Sequence, residues 1–88
     1  MLITFKKTFF KDFQKLPDEI KTKVNQLVLQ IIPNTANLQK LNNIKKITGF
    51  ENFYRIRIGN YRLGLKYEYD KITIYRVLHR KDIYKYFP

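Results

Sequence analysis

Phe53-Tyr-Arg-Ile-Arg-Ile-Gly-Asn-Tyr-Arg-Leu-Gly-Leu-Lys-Tyr67 is the stretch that decides the fold. Apolar and basic residues alternate on both sides of Gly59-Asn60, the pattern of a β-hairpin closed by a two-residue turn. That loop pairs Ile58 with Tyr61, Arg57 with Arg62, Ile56 with Leu63 and Tyr54 with Leu65. Strand side chains alternate between faces, so Tyr54, Ile56, Ile58, Tyr61, Leu63 and Leu65 share the core face. Arg55, Arg57, Arg62 and Lys66 share the other. Like charges placed opposite each other cost up to about 1 kcal/mol per pair. The Arg57–Arg62 pair therefore points to an anionic ligand.

Beyond the hairpin, Asp70-Lys71 is the next turn candidate. As a two-residue loop it pairs Tyr69 with Ile72, Tyr67 with Ile74, Leu65 with Arg76 and Leu63 with Leu78. On the other face it sets Glu68 by Thr73, Lys66 by Tyr75, Gly64 by Val77 and Arg62 by His79. Arg57, Arg62 and His79 then form one row across three strands. Gly64, beside Arg55, leaves room for something to approach the sheet. Arg76 falls on the apolar face, which calls either for an acid from the helices, Asp18 or Glu19, or for a bulge.

The rest of the chain reads around this centre. Met1 to Lys7 alternates as a first strand, and Thr8 is placed to cap a helix. Phe9, Phe13, Leu16 and Ile20 recur at helical steps until Pro17 interrupts them. Asp18 and Glu19 suit the start of a second helix, whose stripe is Ile20, Val24, Leu27, Val28 and Ile31. Residues 33 to 52 carry no clean period. Their asparagines mark loop, with Leu38, Leu41, Ile44 and Ile47 tucked onto the core. Arg80 to Pro88 offers Ile83, Tyr84 and Phe87 at the spacing of a short terminal helix.

Eighty-eight residues bound the chain to one small domain, residues 1–88. Apolar content of 44% and aromatic content of 16% predict a packed core and not disorder. There is no apolar run long enough to span a membrane, and lysines interrupt the opening segment where a secretory signal would lie. The expectation is a cytoplasmic protein. With 18 Lys plus Arg against 7 Asp plus Glu, the formal charge is +11, and all five arginines follow Ile44. Arginine is suited to bidentate phosphate contact, so a polyanionic partner is expected. The chain contains no cysteine, and no Walker loop, dinucleotide fingerprint or metal cluster, so neither cofactor nor metal is expected.

The hairpin motif Tyr54-Arg-Ile-Arg-Ile-Gly-Asn-Tyr-Arg62, followed by a strand and His79-Arg80-Lys81-Asp82-Ile83-Tyr84, resembles the RelE/ParE superfamily of bacterial toxins. Phe9 to Leu16 followed by Pro17 matches the family's opening helices, so the resemblance covers nearly the whole chain. It implies an α+β fold of order β-α-α-β-β-β, with a helix hairpin packed on a curved antiparallel sheet. It also implies a cognate antitoxin, acidic in its toxin-binding segment. RelE-like members cleave mRNA in the ribosomal A site, whereas ParE-like members inhibit DNA gyrase without nuclease action. Arg55, Arg57 and Arg62 fall where the RelE branch carries basic residues. Arg80 and Tyr84 match its C-terminal arginine and tyrosine, though more tightly spaced. The acid–base Glu of several relatives has no counterpart on the basic face except Glu68 at its far end.

RNA cleavage by the adjacent 2′-hydroxyl needs a stabilised phosphorane-like charge and a proton for the leaving 5′-oxygen. Arg57, Arg62 and Arg80 suit the first task. His79 is the side chain whose ordinary pKa, about 6.5, suits the second. A lone His at a strand end is, however, ordinarily a surface or capping residue. Tyr84 is a donor or a base-stacking group, its role exchangeable with that of His79. The expected catalytic set is Arg57, Arg62, His79, Arg80 and Tyr84. RNA contacts are expected from Arg55, Lys66, Tyr75, Lys81 and Tyr86, against mRNA in the A site and ribosomal RNA. The alternatives are a gyrase-directed, non-enzymatic inhibitor and an inactive homologue kept for partner binding.

Overall fold

In the computed structural model, which describes residues 2–88, the chain forms a five-stranded sheet with helices on both faces. The elements are β1 (Leu2–Phe5), α1 (Lys7–Gln14), α2 (Asp18–Gln26), β2 (Ile44–Lys46), β3 (Phe53–Ile58), β4 (Tyr61–Glu68), β5 (Lys71–His79) and α3 (Arg80–Tyr86). The spatial order is β1-β5-β4-β3-β2. The sheet is mixed, because β1 runs parallel to β5 from Leu2↔Lys71 to Phe5↔Ile74 while every other pair is antiparallel. Met1, included in the expected first strand, lies outside the described residues.

The β3–β4 register is the expected one throughout, with Ile58↔Tyr61, Arg57↔Arg62, Ile56↔Leu63 and Tyr54↔Leu65. Gly59 opens the turn at φ +58°, a conformation that glycine adopts without steric penalty.

The β4–β5 register differs from the expectation. Its turn is Tyr69-Asp70, both with positive φ (51° and 60°), so Glu68 pairs with Lys71. A mirror-image turn of this kind needs two left-handed residues, and no glycine marks it in the sequence. The ladder then runs Tyr67↔Ile72, Lys66↔Thr73 and Leu65↔Ile74 before shifting to Gly64↔Arg76, Leu63↔Val77, Arg62↔Leu78 and Tyr61↔His79. Tyr75 is thus the extra residue of a β-bulge. Without it Arg76 would lie opposite Leu63 in the core; with it, Val77 takes that place and is 1% exposed. One residue of slip exchanges the two faces of a strand. The row Arg57–Arg62–His79 therefore does not form: Leu78 completes it, and His79 faces the same side as Tyr61.

Helices α1 and α2 cover one sheet face. Phe9, Leu16, Val24, Leu27 and Val28 pack there on Tyr54, Ile56, Ile58, Leu63, Leu65, Ile72, Ile74 and Val77. Thr8 does not cap α1; Lys6 precedes the helix without a side-chain cap, and the Thr8 hydroxyl donates to Tyr75 O at 3.2 Å. The second helix continues as a π-helical turn over Leu27–Ile31, in which Ile32 N donates to Leu27 O, five residues back. Widening the turn by one residue shifts the stripe. Ile32 is fully buried, while Ile31, expected inside, is 46% exposed. Residues 33–52, expected as loop, contain a 3₁₀ turn at Leu38–Lys40 and the short edge strand β2. Leu38 is fully buried as expected.

The second face carries α3 and the C-terminal tail. Ile83 and Phe87 are both buried, and the Phe87 ring meets Phe53 and Tyr75 at centroid distances of 5.6 Å. A Cβ built on Gly64 would lie 2.6 Å from a Phe87 ring carbon. The room left by Gly64 is occupied by the chain's own tail.

Candidate functional site

The β3–β4 hairpin brings Arg55, Arg57 and Arg62 together on the face away from α1 and α2, because alternate residues of both strands are committed to the core. Strand β2 walls this surface on one side and α3 on the other. The resulting depression, about 330 Å³, is lined by Asn42, Asn43, Lys45, Arg55, Arg57, Arg62 and Tyr84. It is open to solvent and positively charged.

Each guanidinium is held by a different neighbour. Arg57 Nη2 donates to Asn43 Oδ1 at 3.2 Å, while Arg57 N bonds Asn43 O at 2.9 Å and ties the same asparagine to the sheet. Arg62 Nη1 donates to Gly59 O at 3.0 Å and to Tyr61 O at 2.9 Å. The hairpin turn itself thereby orients this side chain. Arg55 lies over the Tyr84 ring, 4.5 Å from its centroid, a cation–π arrangement. Arg80 begins α3, where its N–H donates to Asn60 O at 2.8 Å and pins the helix to the same turn.

Desolvation pushes the Arg62 pKa below its ordinary value; the charges of Arg57, Arg80 and Arg55 add to this, and Tyr84 opposes it. Four cations thus crowd one spot where a bound phosphate would relieve their repulsion. The side chains retain unused donors for such an anion.

Arg55, Arg57, Arg62, Arg80 and Tyr84 are therefore brought together; the other expected site residues are not. His79 caps α3 as an ordinary strand-end histidine does, its Nδ1 accepting from Lys81 N at 3.2 Å, with its ring edge-on to Tyr61 at 5.4 Å. It lines a separate hollow of about 460 Å³ with Asp12, Lys15, Tyr61, Arg76 and Asp82. Lys66 is bound to Glu68 at 3.1 Å, and its pKa is raised chiefly by that hydrogen bond. Tyr75 belongs to the aromatic cluster under Phe87 and faces the Lys6 ammonium at 5.3 Å. Tyr86 lies against the Arg76 guanidinium, 5.4 Å from its ring centroid, and Lys81 is exposed on the first turn of α3. Among the described residues no group of His, Cys, Asp and Glu is arranged to hold a metal ion, and no helix is long and apolar enough to cross a membrane.

Two features escaped the sequence reading. Asn43, which orients Arg57, sits just before β2, a strand too short to show alternation. Asp12, 8% exposed, takes Arg76 in a bidentate pair, Nε to Oδ2 at 2.7 Å and Nη2 to Oδ1 at 3.0 Å. Arg76 thus has both the helix acid and the bulge between which the sequence left a choice, but the acid is neither Asp18 nor Glu19. The signal was there: Asp12 interrupts the apolar stripe of Phe9, Phe13 and Leu16, as Arg76 interrupts that of β5.

A family model described as the ParE toxin of type II toxin–antitoxin systems matches residues 3–84. The chain is 46% identical to Toxin RelE3 of Methanocaldococcus jannaschii over 89 residues, covering 100% of both sequences. It superposes on a chain of a RelB–RelE antitoxin–toxin complex from Methanococcus jannaschii with a TM-score of 0.79, at 46% identity, covering 97% of this chain and 99% of the other. A RelBE2 toxin–antitoxin complex from Mycobacterium tuberculosis matches at TM-score 0.69 and 25% identity, covering 90% and 96% of the respective chains.

Proposed function

The chain belongs to the RelE/ParE superfamily of type II toxin–antitoxin toxins, and from that premise we propose that it is a ribosome-dependent endoribonuclease. In this reading it cuts mRNA in the ribosomal A site, so inhibiting translation, and is held inactive by a cognate antitoxin with an acidic toxin-binding segment. The observation that carries the reading is the convergence of Arg55, Arg57 and Arg62 in one shallow depression with Tyr84 at its edge, the charge of Arg80 lying close enough to act on Arg62.

The scissile phosphate lies against Arg57, Arg62 and Arg80. The 2′-hydroxyl gives its proton to solvent water as its oxygen attacks phosphorus in line, the P–O5′ bond breaks, the 5′-oxygen takes up a proton, and the products are a 2′,3′-cyclic phosphate and a 5′-hydroxyl. Charge grows on the non-bridging oxygens as the bond forms, and Arg62 is pre-aimed there by its bonds to Gly59 O and Tyr61 O. Tyr84, 67% exposed with one ring face toward Arg55, offers its other face to a nucleobase and its hydroxyl to the 5′-oxygen. His79 stands outside this arrangement.

Primer extension on a message translated by purified ribosomes tests the proposal. Cuts at defined positions within codons are expected, and Arg62→Ala should abolish them. The position of His79 favours one second reading, because the arginine face lacks an imidazole for proton transfer. A ParE-like inhibitor of gyrase needs only the charge. Loss of supercoiling with intact messages would establish that reading instead.

A further inference from the structure

β5 loses its outer neighbour halfway along. β1 ends at Phe5, opposite Ile74, and the chain turns into α1. The edge of β5 from Tyr75 onward would be left with unpaired polar backbone groups, at the very point where the bulge interrupts the ladder. Helix α1 supplies their partners from residues one turn apart. Thr8 Oγ1 donates to Tyr75 O at 3.2 Å, and Asp12 Oδ2 accepts from Val77 N at 3.3 Å. Asp12 also grips Arg76, whose guanidinium lies against Tyr86 near the end of α3. These contacts join α1 to β5 on both sides of the bulge, and Arg76 of β5 to α3.

We propose that Asp12 is a positioning residue. Its carboxylate stands in for the missing strand, holds the bulge at Tyr75 and, through Arg76 and Tyr86, sets α3 so that Arg80 and Tyr84 meet the hairpin arginines. The bulge decides which residue of β5 faces Arg62, and α3 begins immediately after that strand. A change in register at Tyr75 is therefore transmitted directly to Arg80. The consequence for cleavage rests on the nuclease reading; the consequence for the placement of α3 does not.

The test compares Asp12→Asn, Arg76→Lys and, as a control for lost stability alone, Val24→Ala in the full chain. Val24 is 1% exposed in α2, and its side chain takes no part in the hydrogen bonds and ion pair of Asp12 and Arg76 or in the contact of Arg76 with Tyr86. Asp12→Asn keeps an acceptor for Val77 N–H but loses the charge and one oxygen of the fork; Arg76→Lys keeps the charge and loses the fork. Amide exchange of α3 should quicken roughly tenfold or more in Asp12→Asn, and the Tyr84 ring resonances should move as its stacking on Arg55 changes. Val24→Ala should move neither. On ribosomes, kcat for Asp12→Asn should fall about 100-fold with KM little changed, as for a displacement of about 1 Å. Arg76→Lys, which keeps the charge, should lose less, and Val24→Ala should keep the wild-type kcat below its melting temperature. Unchanged α3 exchange and Tyr84 resonances in Asp12→Asn would overturn the proposal, as would losses matched by Val24→Ala. If the wild-type protein cuts no message, the nuclease reading fails, while the exchange and resonance measurements still decide the role of Asp12.

Discussion

Gly64→Ala adds a single methyl group and should release the C-terminal tail. The new Cβ would lie 2.6 to 2.8 Å from three carbons of the Phe87 ring, closer than any real contact, so the ring must leave. Phe87 is 5% exposed, and returning such a side chain to water costs about 1.5–3 kcal/mol. Alanine recovers about 0.5–1 kcal/mol over glycine in a strand. The net loss is then about 1–2 kcal/mol, small against a domain stability of about 5–15 kcal/mol. The sheet should stay folded while α3, which Phe87 anchors beside Ile83, loosens. Urea denaturation gives the global term, and amide exchange across α3 gives the local one. The double variant Gly64→Ala/Phe87→Ala separates collision from other causes. With the ring gone, the alanine should stabilise by about 0.5–1 kcal/mol, a non-additivity of about 1.5–3 kcal/mol that equals the ring term. Wild-type stability together with unmoved Phe87 ring resonances in Gly64→Ala would show that the methyl group does not displace the tail.

Further outcomes follow from the same geometry. Arg62→Ala should lower kcat about 100- to 1000-fold, the usual loss on removing one preorganised donor, with ribosome binding far less affected; a parallel rise in KM alone would count against the assigned role. His79→Asn retains an N-cap acceptor and should leave both the cleavage rate and its pH profile intact; disappearance of an inflection near neutrality would return proton transfer to His79. Ile32→Ala should destabilise the fold by about 2–5 kcal/mol, and Ile31→Ala, on the exposed side of the π-helical turn, by less than about 1 kcal/mol in thermal denaturation. Equal losses would mean that the helix is regular there. Antitoxin association should weaken as salt rises over the range that screens charges about 8–10 Å apart, read by titration calorimetry.

By itself, the sequence determined the β3–β4 hairpin and what stands on it. Strict alternation on both sides of Gly59-Asn60 leaves one register that brings Tyr54, Ile56, Ile58, Leu63 and Leu65 together in the core, so the shared face of Arg55, Arg57 and Arg62 followed from local pattern. Pro17 likewise divided the two opening helices, and the tail's spacing marked α3. What failed was non-local. β2 is three residues long and exists because β3 offers it an edge. The phase of the second helix depends on one widened turn, which brings Ile32 into the core in place of Ile31. The β4–β5 turn hides in Tyr69-Asp70, whose left-handed backbone no glycine announces. Which face His79 occupies depends on the bulge at Tyr75, and the bulge depends on Asp12 and Thr8, more than sixty residues away in the chain. Period-two alternation fixes which side chains travel together, but a single extra residue exchanges the faces for everything beyond it. Only the packing of α1 against the free edge of β5 says where that residue lies.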